Sequence, residues 1–343
     1  MLTLSNTCSI VALIWLVLGS FICSQVICAR RVIFFSTNLY ENGLLKPEFS
    51  AFARRDARDL PALPVLILRS FTVGVFSSLI FLSAVLLAGV FAAILPQSLL
   101  AKPISLCSRM ILLASGISIN ERGRRASLSE APCIVANHNS AFDIIILLTQ
   151  RCCFVSMDGV RNLPIVGKVA EAIGCIFVAR DSKDSRQNAK EHIAARLKSQ
   201  LSGESRIKTQ LVVFPEGSTN NGYAILQFRR GAFEPNVPIQ PLWIEFQDHA
   251  LNFTVLTLTE LASLACTLPA REITLHWCPV IQPDSNRNPE ATADLARNEI
   301  ANLTSAYGHA KLQLMDAAVS HRDAIACANF MRERVQSTSR KSD

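Results

Sequence analysis

The stretch CIVANHNSAFDIIILLTQ, residues 133–150, joins a short apolar run to an apolar helical segment through a polar loop. The run CIVA is typical of a strand buried on both faces, and residues 141–150 have the apolar pattern of a packed helix. The loop holds His138 and Asp143, five positions apart. Strand-to-helix loops of a parallel sheet meet at one edge, where ligands of α/β proteins bind. The stretch therefore predicts an α/β fold with a candidate site at the end of this strand.

The rest of the chain repeats the alternation of strand and helix. Further helices are predicted at residues 166–173 and 185–201. Further strands are predicted at residues 175–178, 211–214, 239–246, 253–258 and 273–281. Alternating elements predict a mixed sheet flanked by helices. We assign residues 120–285 to this α/β domain and residues 286–343 to a C-terminal helical region with a loose tail.

The N-terminal third is apolar. Residues 1–29 and 70–101 contain no Asp, Glu, Lys or Arg, and about 20 apolar residues suffice to cross a bilayer as a helix. Residues 72–95 are predicted to be a membrane helix, within a membrane-embedded segment at 72–119 whose second part is weakly amphipathic. Residues 1–29 predict a membrane anchor stopped by Arg30 and Arg31. A secretory signal is the alternative, disfavoured because a basic n-region is missing.

Residues 30–71 form a predicted basic linker with seven Lys or Arg and four acidic residues. The charge of this linker favours the cytosolic side, but one full crossing after it would place the remaining chain on the other side. The membrane topology therefore stays open. The chain's net charge of +7 suits anionic lipid head groups or phosphorylated substrates. No nucleic-acid motif is present, so a nucleic-acid partner is not expected.

Two interpretations fit the loop at His138. Ser140 and Asp143 match the capping-box pattern of a helix start. Alternatively, His138 is a general base and Asp143 fixes its tautomer and stabilises the imidazolium. The two are compatible, because a capped helix start is a rigid support for an imidazole. The chain lacks the G-x-S-x-G nucleophile motif, so His138 would activate a hydroxyl of the substrate, which favours direct acyl transfer.

Two more polar clusters follow predicted strands. LVVFPEGSTNNG, residues 211–222, places Glu216, Gly217 and Ser218 in a loop whose N–H and hydroxyl groups suit a phosphate. GCIFVAR, residues 174–180, places Arg180 after a strand, where a guanidinium binds phosphate through two hydrogen bonds. Each cluster alone is ordinary, but all three lie at carboxyl ends of predicted buried strands, which predicts one shared site.

The segment NHNSAFD, residues 137–143, resembles the N-H-x4-D block of the glycerolipid acyltransferases, the family of lysophosphatidic acid and other lysophospholipid acyltransferases. Three further segments resemble that family's second, third and fourth blocks in the same order: LPIVGKVAEAIGCIFVAR (163–180), VVFPEGSTNN (212–221) and VPIQPLWI (237–244). The resemblance covers roughly residues 130–247. Four blocks in order are far more specific than the histidine and aspartate alone.

The resemblance implies a membrane-bound O-acyltransferase without a cofactor or metal, with acyl-CoA as co-substrate and a lysophospholipid as acceptor in a lipid bilayer. His138 would be the general base and Asp143 its orienting group. The family pattern assigns the acceptor phosphate to Arg180, Glu216 and Gly217, with Ser218 in place of the usual threonine, and associates the block of Pro238 with the acyl pocket. Family habit suggests the endoplasmic reticulum membrane.

Alternatives remain for the acceptor head group and for the function itself. Residues 228–241 resemble most the branch that reacylates lysophosphatidylcholine or lysophosphatidylethanolamine, although enzymes acting on lysophosphatidic acid have similar sequences. A serine hydrolase or lipase would instead use Ser218 with His138 and Asp143. A non-catalytic membrane scaffold that kept the fold is the third possibility.

Overall fold

The computed structural model describes residues 4–41, 60–179, 183–222, 224–247, 250–252, 256–306 and 313–315. The helices are α1 (Leu4–Glu41), α2 (Leu63–Arg69), α3 (Val75–Ile94), α4 (Gln97–Ala114), α5 (Phe142–Thr149), α6 (Val166–Ala172), α7 (Lys183–Leu201), α8 (Leu258–Thr267) and α9 (Pro289–Ala306). The strands are β1 (Ile117–Arg122), β2 (Cys133–Ala136), β3 (Cys153–Met157), β4 (Ile176–Val178), β5 (Leu211–Val213), β6 (Ala224–Leu226), β7 (Ile239–Phe246), β8 (Arg271–Trp277) and β9 (Gln313–Met315).

A seven-stranded sheet with the order β1-β8-β7-β2-β5-β3-β4 forms the centre. Strand β2 runs parallel to β5 and β7, and β3 runs parallel to β5 and β4. The pair β1 and β8 is parallel within itself and joins the sheet through an antiparallel contact of β8 with β7. The carboxyl ends of β2, β3, β4, β5 and β7 therefore share one edge, called here the carboxyl edge; the opposite edge, where these strands begin, is the amino edge.

Helices cover both faces of the sheet, as the sequence predicts. One core combines residues of α1, α4, α5 and α8 with the sheet, and the other is formed with α7 and α9. Strand β2 is buried along its whole length, which explains its uninterrupted apolar sequence. Because Ala293, Ala296 and Ile300 of α9 are part of the second core, the predicted boundary at residue 286 does not separate α9 from the α/β domain.

The predicted strands at 133–136 and 239–246 coincide with β2 and β7, and three others overlap β4, β5 and β8. Strands β1, β3, β6 and β9 were not predicted. Strand β1 is an edge strand with a mostly exposed sequence, and it begins just after Gly116, whose φ of +63° ends α4. Part of the predicted strand 253–258 lies outside the described residues, and Leu258 starts α8, capped by Thr257 and Glu260.

Helix α1 continues past the predicted stop at Arg30 and Arg31, so the predicted boundary between an anchor at 1–29 and a linker at 30–71 lies inside one helix. The Arg30 guanidinium donates to the Pro61 carbonyl oxygen and lies 4.6 Å from the centre of the Phe34 ring. This charge is therefore accommodated without ending the helix. The second half of α1 packs into the first core, where Val26 is fully buried.

Helices α2 and α3 are joined by a π-helical segment, Ser70–Gly74, into one apolar helix. Trp15 Nε1 donates to the carbonyl oxygen of Phe71 at 2.8 Å, which attaches α1 to this segment. By length and composition, Val11–Phe34 and Leu63–Ile94 are two stretches able to cross a membrane. The second begins earlier than the predicted helix at 72–95. It lies along the α/β domain, because Gly74 approaches Thr267 of α8 and Gly89 approaches Ile165, next to α6.

Candidate functional site

The loop after β2 brings His138 and Asp143 together. His138 Nδ1 lies 2.9 Å from Asp143 Oδ2, and Asp143 is completely buried in the first turn of α5. Because a carboxylate accepts hydrogen bonds, Nδ1 carries the proton and Nε2 keeps its lone pair. The imidazole is 17% exposed. The pair therefore has the arrangement of a general base with its orienting carboxylate.

Two backbone N–H groups fix the Asp143 carboxylate. Its Oδ2 accepts hydrogen bonds from Asn139 N at 2.7 Å and Ser140 N at 2.9 Å, in addition to the histidine. The predicted capping box is therefore half formed. The Ser140 hydroxyl does not bond the Asp143 N–H; it donates to the Leu251 carbonyl oxygen at 2.6 Å. The loop is therefore attached both to the first turn of α5 and to Leu251, which keeps the imidazole in place.

Glu216 binds the backbone of His138 rather than facing solvent. Its Oε1 accepts from His138 N at 2.7 Å, and its Oε2 accepts from Asn220 Nδ2 at 2.6 Å and Leu226 N at 2.8 Å. Asn220 N in turn donates to the His138 carbonyl oxygen at 2.9 Å. The prediction that Glu216 contacts the acceptor phosphate is corrected accordingly: the carboxyl group is buried and its oxygens are occupied by protein donors.

Burial raises the pKa of Glu216 to about 8, while the hydrogen bonds from Leu226, His138 and Asn220 act in the opposite direction. The nearby negative charge of Asp143 also raises this pKa. The Glu216 carboxyl group therefore supports the loop through the hydrogen bonds that it accepts.

Gly217 and Ser218 continue this loop. Gly217 has a φ of +75° and its N–H donates to the Phe214 carbonyl oxygen at 3.1 Å. A Cβ at this position would lie 2.8 Å from Arg229 Nε, so the guanidinium packs directly against the glycine. The Ser218 hydroxyl donates to the Thr219 carbonyl oxygen at 3.3 Å and makes no hydrogen bond to His138 within the described structure. The nucleophile-to-base contact of a serine hydrolase is therefore not formed.

Three supports of the site were not predicted. The Phe214 ring stacks on the His138 imidazole with centroids 4.0 Å apart and an angle of 14°. The Asn137 side chain donates to the Ile244 carbonyl oxygen at 3.0 Å and accepts from Ile244 N at 2.7 Å, which attaches the loop to β7. Asn220 supports both Glu216 and His138. In the sequence, Asn137 beside His138 and Asn220 shortly after Gly217 could have indicated these supports.

Two predicted site residues are not brought to His138 by the described structure. Arg180 lies outside the described residues. Pro238 precedes β7, whose first residue, Ile239, pairs with Cys133 at the start of β2. Pro238 is therefore at the amino edge, whereas His138 is at the carboxyl edge. Across the described residues, no group of three or more His, Cys, Asp or Glu side chains has a metal-binding arrangement.

Comparisons with known proteins give relatives of this chain. Residues 118–245 match the family model described as Acyltransferase. Over 205 residues the chain is 27% identical to lysophosphatidylcholine acyltransferase 2B of Rattus norvegicus, covering 57% of this chain and 38% of that protein. Over 226 residues it is 29% identical to lysophospholipid acyltransferase LPEAT2 of Arabidopsis thaliana, covering 62% and 40%. The chain thus spans about two fifths of the length of these relatives.

A shorter match, 34% identical over 131 residues, relates the chain to lysophosphatidylcholine acyltransferase 1 of Danio rerio, covering 38% of this chain and 24% of that protein. Among solved structures, the 1-acyl-sn-glycerophosphate acyltransferase PlsC from Thermotoga maritima aligns with a TM-score of 0.47 and 14% identity, covering 83% of this chain and 97% of that one. The family match contains the histidine and aspartate, the Glu216 loop and most of β7. Residues 118–245 are therefore similar to the Acyltransferase family.

Proposed function

We propose that this protein is a membrane-bound lysophospholipid acyltransferase that moves a fatty acyl group from acyl-CoA to the free glycerol hydroxyl of a lysophospholipid. The observation that carries the proposal is the contact of 2.9 Å between His138 Nδ1 and the buried Asp143. This contact leaves Nε2 available on a partly exposed ring. The family match and the names of the relatives support acyl transfer to a lysophospholipid.

The mechanism needs no acyl-enzyme. His138 Nε2 takes the proton of the acceptor hydroxyl while the oxygen forms a bond to the thioester carbonyl carbon. The resulting tetrahedral intermediate collapses when the C–S bond breaks, and the imidazolium returns the proton to the leaving thiolate. Asp143 stabilises the imidazolium in between. Atoms and charges balance, and the ester and free coenzyme A are the products.

The acceptor phosphate is assigned to the remaining polar groups of the site. Gly217 and Ser218 stay in the proposed phosphate site together with Arg180. Arg229 is added because its exposed guanidinium packs against Gly217 and has no ion-pair partner in the described part of the chain. A guanidinium binds phosphate through two parallel hydrogen bonds. Pro238 is retained as a residue of the acyl pocket, to be reached by the distal part of a long chain.

The membrane part of the proposal rests on apolar surface. Helices α3 and α4 expose large apolar side chains. The side chains that are more than half exposed include Leu82, Leu86, Val90, Leu106 and Leu113. A soluble protein rarely leaves such a surface uncovered. We therefore place this surface in a bilayer, with the endoplasmic reticulum as the proposed membrane. Relatives named for lysophosphatidylcholine favour that acceptor over lysophosphatidic acid.

The test is a donor-by-acceptor activity matrix on the purified full chain in neutral detergent. His138→Ala is expected to abolish transfer from every acyl-CoA while leaving the melting temperature within a few degrees. His192→Ala, an exposed histidine of α7, is the matched control and should keep full activity. Full activity of His138→Ala would end the proposal. Covalent labelling of Ser218 by a fluorophosphonate would replace it with the hydrolase, and no turnover with any pair would favour the scaffold.

A further inference from the structure

Two cavities adjoin each other at the amino edge of the sheet. The larger, about 430 Å³, is polar, and the smaller, about 110 Å³, is walled mainly by apolar side chains. Arg151, Lys208 and Thr209 line both cavities and form the junction between them. Leu100 and Ile104 of α4 belong to the wall of the smaller cavity. The combination of a polar and an apolar compartment fits an amphiphilic ligand.

This junction is separate from the acyltransferase site. Arg151 precedes β3 and Thr209 precedes β5, whereas His138 follows β2. Because β2 is parallel to β5, and β5 to β3, the junction and His138 lie at opposite edges of the sheet. Nothing in the proposed acyl transfer uses the residues of the junction.

The junction carries uncompensated positive charge. Arg151, Arg206 and Lys208 are exposed and have no acidic partner in the described part of the chain, although Lys208 Nζ donates to the Gly203 carbonyl oxygen at 3.1 Å. Glu130 in the larger cavity is neutralised by Arg124, which binds it through two hydrogen bonds of 2.9 and 3.0 Å. Three cations without counter-ions around one opening favour an anionic ligand.

The start of helix α4 gives a second indication of an anion. Its first residues, Gln97 and Ser98, line the smaller cavity, where the positive end of the helix dipole favours a negative charge.

The surroundings point to a lipid rather than a soluble anion. Ile94 and Leu99, at the turn between α3 and α4, are 68% and 59% exposed. Leu99 lies between Ser98 and Leu100, which line the smaller cavity. Cations beside an exposed apolar surface lie at the depth of the phosphates when that surface enters a bilayer. A soluble anion would leave the apolar cavity unused.

We infer that this junction binds the head group of an anionic phospholipid. The phosphate lies among Arg151, Arg206 and Lys208, and the first methylenes of one chain enter the smaller cavity. The site would hold the amino edge of the sheet against a leaflet that contains anionic lipid. The inference rests on the membrane contact of the proposed function but is independent of acyl transfer.

The test titrates the purified full chain in neutral detergent with dioctanoyl phosphatidylglycerol, dioctanoyl phosphatidylcholine or inorganic phosphate, with binding followed by native mass spectrometry. The triple variant Arg151→Gln/Arg206→Gln/Lys208→Gln should bind phosphatidylglycerol at least about tenfold more weakly than the wild type, since charge-assisted contacts to phosphate are lost. The control triple Arg122→Gln/Lys168→Gln/Arg287→Gln removes the same charge from residues that line neither cavity and should bind like the wild type. Melting temperatures verify that both variants fold.

Equal affinity of both triple variants for phosphatidylglycerol would overturn the inference. The three cations of the junction would then contribute no more to binding than three cations elsewhere on the chain. Inorganic phosphate binding as tightly as phosphatidylglycerol would replace the lipid by a free anion. Equal binding of phosphatidylcholine would also contradict an anionic ligand. His138→Ala should bind phosphatidylglycerol like the wild type. Acyl transfer and phosphatidylglycerol binding are therefore separate readouts, and failure of one proposal can be told from failure of the other.

Discussion

Replacing Asp143 by Asn removes the charge beside His138 and keeps the shape of the side chain. In the structure Oδ2 accepts from His138 Nδ1, Asn139 N and Ser140 N, whereas Oδ1 is buried and has no partner in the described structure. Two backbone N–H groups should therefore hold the amide oxygen of the new asparagine in the place of Oδ2. His138 would keep its Nδ1–H facing an acceptor, so the catalytic tautomer would be unchanged.

The expected loss then comes from charge alone. A hydrogen bond to a charged group contributes about 1.5–3 kcal/mol and a neutral one about 0.5–1.5 kcal/mol. The difference, about 1–2 kcal/mol of imidazolium stabilisation, corresponds to a kcat about 5- to 30-fold lower, at about 1.4 kcal/mol per tenfold. Loss of the tautomer would be larger, at about 10⁴-fold. Asp143→Ala also leaves two backbone N–H groups unpaired, so it should lower both kcat and stability further.

The assay measures kcat of acyl transfer at saturating donor and acceptor for Asp143→Asn, Asp143→Ala and His138→Ala, together with their melting temperatures. We expect a higher kcat for Asp143→Asn than for Asp143→Ala, with the asparagine variant melting close to the wild type. If Asp143→Asn is as inactive as His138→Ala, the backbone donors do not set the amide orientation. An unchanged kcat would show that the charge of Asp143 plays no part.

Three further predictions concern the supports of the site and of the N-terminal helices. The folded Glu216 carboxyl has its pKa raised from 4.5 to about 8, so its stabilising contribution is complete below pH 4.5 and is lost as the pH rises through 8. Glu216→Gln removes this titration, and between pH 4.5 and about 8 its melting temperature should fall less than that of the wild type; parallel curves would contradict the assignment. Gly217→Ala should destabilise the protein by about 1–3 kcal/mol because the φ of this residue is left-handed. Adding Arg229→Ala tests that cause in denaturant titrations, since a full rescue would mean that the clash with Arg229, rather than the backbone, is responsible. Gly19→Leu should cost about 1–3 kcal/mol, because a Cβ there already meets the Phe71 ring at 2.4 Å; an unchanged melting temperature in detergent would show that α1 is not packed against the π-helical segment.

The sequence predicted those parts of the fold that depend on local pattern. Strand β2 and helix α5 follow from an uninterrupted apolar run and a helical apolar pattern on either side of His138, because burial on both faces requires apolar residues at every position. The five-residue spacing of His138 and Asp143 likewise predicted a pair that the structure places 2.9 Å apart. His138 lies in the loop and Asp143 in the first turn of the helix that follows it, so local geometry determines their distance.

The tertiary structure decided what depends on segments distant in sequence. Glu216 looks from its loop like a phosphate ligand, and only its position beneath the loop after β2 makes it a partner of the His138 backbone. Arg30 resembles the end of a membrane anchor, but contacts with Pro61 and Phe34 let α1 continue. The cationic junction joins Arg151 to Lys208, which are far apart along the chain. Local pattern cannot report such contacts, because the partner that satisfies a charge or an N–H group is set by how the strands are ordered in the sheet.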